Sequence, residues 1–430
     1  MKKVKPIVSL ILILTLLSLP SCVMNPAGER RQDVITDVIE PLKDGGTVTD
    51  TRRGAASDGA GPADGFTEAE NAIYDGLVAV DDRISLEGYG LTADTLRASF
   101  RRVVNYAPEL FYVSSTYSYS HTDDGIIAVM PSYLFGKEEI GEKTGFFRET
   151  VKKIAAGVDP GWSDLEKALY LHDYVAAHYE FDTDHGIFDA YTFFKEGKGV
   201  CQAYTLAYLA LLREVGVRAD VAASEDMDHT WNKVMIDGNW YHVDLTWDDP
   251  VGSAPGETGH TYFLLSDSEI DKKGKIHYRW ETVLYESVCA DTRYDEAFWQ
   301  DITTAFAPLG GEWYFIEYRE DGSLLRRTDF VSTEDVTVLQ GQWDVLDEEN
   351  MIWLGFYSGL FALDGKLIYN TGTEVMAFDP ATGEISSAGA PELGDARIYG
   401  CFPEDGKVMC VLCREPHSTE YTVVPLKIEN

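Results

Sequence analysis

The chain has 430 residues, 45% of them hydrophobic and 12% aromatic, which is enough apolar material for two or three cores and excludes a wholly disordered protein. Lysine and arginine number 36 against 72 aspartates and glutamates, with the acidic excess spread along the sequence. Nucleic acid and a bare anionic membrane surface are thereby excluded as partners, because phosphate neutralisation needs clustered cations.

Residues 1–21 read as a signal peptide. Lys2, Lys3 and Lys5 precede the apolar run Ile7 to Leu19, and Leu19-Pro20-Ser21 leads into Cys22. The run is short for a membrane-spanning helix. Cys22 at the cut resembles a bacterial lipobox, which implies lipidation of Cys22 and export to the cell envelope, anchored to the membrane and facing away from the cytoplasm. Residues 22–65 are polar, rich in Asp, Gly, Thr and Ala, and nearly free of aromatics, so they are expected to be a disordered tether.

Residues 66–150 are expected to form a small α+β module. Thr67 and Glu70 make a capping box ahead of Ile73, Leu77, Val80 and Ile84, which recur at helical spacing, and a second helix follows around Leu96, Phe100 and Val103. Aromatic and β-branched stretches at 110–119 and 125–131 flank the turn signal Asp123-Asp124-Gly125. A second capping box, Ser163 to Glu166, opens a helix carrying Leu165, Leu169, His172, Val175 and Tyr179 in a central domain expected over 151–280. Beyond it, residues 281–430 alternate short apolar runs with Gly and Asp, which predicts a β-rich domain. The segment from Val375 to Ile385 resembles one propeller blade, but the length holds about three blades, so only weak repeats are expected. With Cys22 set aside, Cys201, Cys289, Cys401, Cys410 and Cys413 are an odd set that leaves at least one thiol free. Cys410 and Cys413 form a CxxC on a predicted strand. Residues three apart on a strand face opposite ways, which disfavours a shared metal and favours buried structural thiols.

The chemistry concentrates in the central segment. Gly197-Lys-Gly-Val-Cys201-Gln-Ala-Tyr204 leads into a run in which Tyr204, Tyr208, Leu211, Leu212 and Val215 share one helical face and Gly216 can stop the helix. Cys201 thus falls at a helix N-terminus, where unpaired amides and the dipole favour a thiolate and can face a developing oxyanion. Downstream, Asp237-Gly238 separates two alternating runs, the signature of a two-residue hairpin. Ile236 is then opposite Asn239 and Trp231 opposite Asp244, with His229 the diagonal neighbour of Asp244 on the same face. Val234, Ile236, Tyr241, Val243 and Leu245 gather on the other, apolar face. A thiol, an imidazole and a carboxylate are the types a nucleophile, its base and an orienting group require.

These residues resemble the transglutaminase-like superfamily, papain-like thiol enzymes with Cys, His and Asp in that chain order. The resemblance rests on Gly199-Val200-Cys201-Gln202-Ala203-Tyr204, then His229-Thr230-Trp231-Asn232, then Trp240-Tyr241-His242-Val243-Asp244 with Thr246-Trp247-Asp248-Asp249-Pro250; His172-Asp173-Tyr174 and Ala190-Tyr191 also fit. It covers about 120 residues, with Thr230 where many relatives have Ala. It implies a papain-like α+β central domain, Cys201 as nucleophile, His229 as base and Asp244 as orienter, and no metal or organic cofactor. The expected activity is cleavage or transfer of an amide acyl group through a Cys201 thioester. Hydrolysis by a peptidase or amidase is preferred, with transglutamination and a non-catalytic surface-binding lipoprotein as the alternatives. The expected substrates are protein, peptide or peptidoglycan peptides.

Other residues carry blander expectations. His172 lies on the apolar face of its helix as a core residue or a support behind the site. His242 shares the face of His229 as a rival base, Asp248 and Asp249 before Pro250 terminate the strand, and Tyr191 is a minor candidate to donate to an oxyanion. No zinc spacing, phosphate-cradling loop or dinucleotide fingerprint is present.

Overall fold

The computed structural model describes residues 65–249, 258–272, 277–318, 323–339, 344–346, 352–354, 359–404, 406–414 and 420–426. The expected leader, Cys22 and the tether to residue 64 lie outside the described residues. Among the described residues no helix is long and apolar enough to cross a membrane.

The first module begins where the capping signals put it. In α1 (Glu68–Val78) the Thr67 hydroxyl accepts from the Glu70 amide while the Glu70 carboxylate accepts from the Thr67 amide, and Thr92 and Thr95 repeat this at the start of α2 (Ala93–Tyr106). β1 (Ile84–Ser85), β2 (Val113–Thr122) and β3 (Gly125–Tyr133) form an antiparallel sheet in the order β1-β3-β2. α3 (Lys137–Ala155) runs across the boundary expected at residue 150. Its buried Ile140, Phe147, Val151 and Ile154 share one core with Leu110 before it and Phe193 and Leu206 after it.

The central unit is a helical layer against a five-stranded antiparallel sheet. The helices are α4 (Asp164–His178), α5 (Ala190–Glu196) and α6 (Cys201–Glu214), and short β4 (Glu180–Phe181) and β5 (Lys198–Gly199) pair in parallel beside α5. The sheet, in the order β10-β6-β7-β8-β9, comprises β6 (Ala219–Ser224), β7 (His229–Ile236), β8 (Asn239–Val243), β9 (Phe263–Leu265) and β10 (Glu281–Thr282), with α7 (Leu245–Asp248) and α8 (Asp267–Ile270) between strands. α6 lies at the centre. Its Tyr204, Tyr208, Leu211 and Leu212 are buried with Val221, Val234 and Tyr241 of the sheet, and burying each leucine contributes about 1.5–3 kcal/mol.

The expected boundary at 280 also falls inside a packed unit, because β10 joins the sheet one residue later. Buried Asp220 of β6 accepts hydrogen bonds from the amides of Leu284 (2.8 Å) and Tyr285 (3.1 Å) and from the Ser287 hydroxyl (2.7 Å). Arg102 of α2 donates to the carbonyls of Val283 and Leu284 from the other side.

The remaining chain is built of antiparallel meanders, as a β-rich reading requires. The first holds β11 (Ala307–Leu309), β12 (Glu312–Glu317), β13 (Ser323–Thr328) and β14 (Thr333–Leu339), followed by the pair β15 (Asp344–Leu346) and β16 (Ile352–Leu354). The next holds β17 (Leu360–Leu363), β18 (Lys366–Asn370), β19 (Val375–Asp379) and β20 (Glu384–Gly389), and the last β21 (Arg397–Glu404), β22 (Lys407–Cys413) and β23 (Thr422–Leu426). Tyr314, Ile316 and Leu325 of the first four-stranded sheet pack with Leu367, Tyr369 and Phe378 of the second. Cys410 and Cys413 both lie on β22 and are buried in separate clusters, in keeping with opposite faces of one strand.

Candidate active site

The cysteine is delivered by a glycine-dependent approach. Gly197, at φ +77°, closes α5 in the left-handed region, and β5 then passes so close to the helices that a Cβ on Gly199 would sit 2.6 Å from Ala203 Cβ and 2.7 Å from Phe193 Cδ2. Val200 caps α6 and Cys201 is its first residue, buried at 5% exposure. Cys201 thus stands at the head of α6, where the positive end of the helix dipole favours a thiolate and a developing oxyanion. Gly216, at φ +79°, follows the last turn as the expected stop.

The hairpin that supplies His229 has the predicted turn. Asp237 and Gly238 adopt φ of +50° and +81°, Ile236 pairs with Asn239, and the register runs back to Asn232 opposite Val243. There the ladder stops, one pair before the expected Trp231 and Asp244 partnership. Asp244 leaves the strand and caps α7, its Oδ1 accepting from the Trp247 amide at 3.2 Å. The side chain nevertheless reaches His229: Nε2 lies 2.6 Å from Asp244 Oδ2. Because the carboxylate can only accept, Nε2 carries the proton and Nδ1 is the basic nitrogen. Trp231 and Trp247 both stack against the His229 ring, each with centroids 5.5 Å away.

Helix and strand are joined at the positions that matter. The Thr205 hydroxyl, one turn after Cys201, lies 2.8 Å from the Cys201 carbonyl and 3.0 Å from that of Thr230, and the Asn232 side-chain Nδ2 donates to the Thr205 carbonyl at 3.1 Å. The first turn of α6 is thus tied to the first residues of β7, bringing together the segments that hold Cys201 and His229.

One residue of the site carried no signal in the sequence. His277, in the segment between α8 and β10, is fully buried and also places Nε2 2.6 Å from Asp244 Oδ2. Its ring is enclosed by Trp231 at 4.6 Å, Trp247 at 4.3 Å and Tyr262 at 5.5 Å, and its Nδ1 is buried without a hydrogen-bond partner. Burial pushes the Asp244 carboxyl up, but the charges and hydrogen bonds of His229 and His277 outweigh it and hold the group well below the usual carboxylate range.

The rival candidates are occupied elsewhere. His242 accepts from Trp231 Nε1 at 2.9 Å, meets Asp267 Oδ1 through Nε2 at 2.8 Å, and is lowered to about 4 by burial. Tyr191 stacks on Phe111 at 4.5 Å, and its hydroxyl accepts from Lys143 Nζ at 3.3 Å. His172 is wholly buried with Nδ1 3.0 Å from Asp173 Oδ1 and Nε2 3.2 Å from Asp248 Oδ2, and His260 Nε2 adds a 2.8 Å contact to Asp173. Asp248 and Asp249 therefore do more than end a strand, since Asp249 accepts from Tyr204 Oη at 2.6 Å. The His229, Asp244 and His277 donors lie near enough to be considered for a metal, but contacts of 2.6 Å are hydrogen-bond lengths, and a tetrahedral zinc with ~2.0 Å bonds would hold its donors roughly 3.3 Å apart.

Residues 149–245, which contain all three sequence candidates, match the profile of the Transglutaminase-like superfamily. No curated protein matches the chain. Among solved structures, a provisionally assigned cysteine protease from Cytophaga hutchinsonii is similar at 18% identity over 24% of this chain and 37% of that one, with a TM-score of 0.20. A structure described as a TGase is similar at 15% identity over 38% of this chain and 50% of that one, with a TM-score of 0.22. A provisionally assigned protease from Parabacteroides distasonis is similar at 15% identity over 31% of this chain and 30% of that one, with a TM-score of 0.20. The chain spans half or less of the length of each of these structures. Residues 149–245 are thus similar to the transglutaminase-like superfamily, and a β-rich region follows them in the chain.

Proposed function

We propose that this domain catalyses acyl transfer from an amide through a thioester on Cys201, and that hydrolysis is its physiological outcome, making the protein a peptidase or amidase. His229 Nδ1 takes the Cys201 proton, the thiolate attacks the carbonyl carbon, and the helix-head amides stabilise the resulting oxyanion. The imidazolium then gives its proton to the departing amine as the C–N bond breaks. Water, deprotonated by His229, attacks the thioester and releases the acid, regenerating the thiol. Asp244 holds the Nε2–H tautomer throughout.

The observation that carries this reading is the 2.6 Å bond from His229 to Asp244 at the start of a strand tied to the first turn of the Cys201 helix. The same reading makes the protein an exported lipoprotein anchored through Cys22, acting on protein, peptide or peptidoglycan peptides outside the cytoplasm.

The test is mass spectrometry of peptide, peptidoglycan and amine mixtures after exposure to wild type and to Cys201→Ala. Products gaining water only with wild type support hydrolysis, and amine adducts identify a transglutaminase. If neither forms and Cys201 labels no faster than a simple thiol, the domain is a binding module and the proposal fails.

A further inference from the structure

We propose that His277 is a positioning residue of this thiol site: it shares the Asp244 carboxylate with His229 and thereby limits how strongly that carboxylate stabilises the His229 imidazolium. The inference rests on the reading of His229 as base, and it assigns a function to a residue outside the segment that matches the family.

Both imidazoles place Nε2 2.6 Å from the same oxygen, Asp244 Oδ2, and the Trp247 amide takes Oδ1. A carboxylate oxygen in two charge-assisted bonds divides its negative charge between two donors, and each bond is weaker than it would be alone. His277 must donate through Nε2, so its Nδ1 carries the lone pair, and that atom is buried without a partner among aromatic rings. Nε2 is therefore the His277 nitrogen that meets Asp244, and Nδ1 has no hydrogen-bond partner of its own. The His277 Nε2–H thus competes for Asp244 Oδ2 with the Nε2–H of His229, the ring whose Nδ1 is read as the base.

The consequence is a base tuned downward. An imidazole with a buried carboxylate to itself would hold its proton tightly and surrender it slowly to a leaving amine, whereas one that shares the carboxylate returns it more readily. The other titratable groups facing this cluster are Cys201 at the head of α6, Tyr262 and His242 across the aromatic rings, and Asp248 at the far end of α7. His242 is engaged by Trp231 and Asp267, Asp248 by His172 and the Tyr262 amide, and Lys233 of β7 by the Ser287 carbonyl, so these three are held by other partners.

The experiment is the pH dependence of Cys201 alkylation by iodoacetate, an anionic reagent whose rate falls as His229 loses its proton. His277→Phe keeps a ring in the box and removes the donor, and should move the falling limb up by about 0.5–1 pH unit. His277→Gln restores a donor and should return the limb to within about 0.2 unit of wild type. A folded His277→Phe protein with an unmoved limb overturns the proposal. Where that variant does not fold, ¹⁵N-histidine spectra of the wild type decide: His277 must carry a proton on Nε2, hydrogen-bonded to the carboxylate, and a neutral His277 protonated on Nδ1 instead overturns the proposal. Failure of the underlying reading has a separate signature, because His229→Ala would then leave the limb in place.

Discussion

The four-residue α7 separates two buried histidine and aspartate clusters, and the contrast between them defines what a reactive imidazole needs. At one end Asp244 meets His229 and His277 through a single oxygen, and each imidazole commits Nε2. At the other end Asp248 and Asp173 hold His172 through both of its nitrogens. An imidazole between two carboxylates is a double donor and therefore a cation. Burial alone would lower His172, yet the bonds and charges of Asp173 and Asp248 raise it to about 9. Such a group knits elements together, here α4 to α7, while Asp173 adds the Phe306 amide and His260. It has no nitrogen left for proton transfer, whereas His229, bound to Asp244 through Nε2, keeps Nδ1 for the base role proposed above.

The contrast breaks most sharply under substitution at the thiol end. Cys201→Ala should abolish turnover, a loss of about 10⁴-fold or more in kcat, with a melting temperature close to wild type. Asp244→Asn should cost about 10³-fold, because the amide can donate to Nε2 and stabilise the wrong tautomer. A rate within a few-fold of wild type would show that Asp244 does not orient His229. At the other end the signature inverts: His172→Leu leaves two buried carboxylates short of a cation and should cost about 3 kcal/mol in urea unfolding. The folded fraction should alkylate at Cys201 within about threefold of the wild-type rate, since the thiol cluster stands on different partners. Gly199→Ala should sharpen the picture from the backbone side, destabilising by about 1–3 kcal/mol as Ala203 and Phe193 are pushed from their places.

How far this was legible follows from the range of the forces involved. The Asp237-Gly238 turn sets a local parity that propagates along both strands, so the pairing from Ile236 with Asn239 to Asn232 with Val243 could be written from the sequence. The capping boxes at Thr67 and Ser163 and the glycine ahead of Cys201 are equally local. The end of the ladder was not, because Asp244 can cap a helix or extend a strand and only the packing of α7 decides. His277 was invisible for a related reason: it reaches Asp244 across 33 residues from a segment with no periodicity. The boundaries expected at 150 and 280 follow changes of composition, whereas the core continues past both, joining Phe147 to Phe193 and Tyr241 to Tyr294. His172 was readable as buried, but its two carboxylates could be identified only once α4 and α7 were side by side.

The pH dependence of stability separates the two clusters without any substitution in the thiol site. His172 is raised from 6.5 to about 9 in the folded protein, so its contribution is complete below 6.5 and is lost as the pH climbs through about 9. Asp244 is shifted the other way, so its contribution is complete above the ordinary aspartate value of 3.8 and is lost as the pH falls toward its depressed folded value. Urea midpoints should therefore decline on the alkaline side with a slope of at most about 1.4 kcal/mol per pH unit from this one group. His172→Leu should flatten that alkaline decline. An alkaline slope that survives the substitution would place the titrating group elsewhere and remove the distinction between a structural cation and a catalytic base that α7 divides.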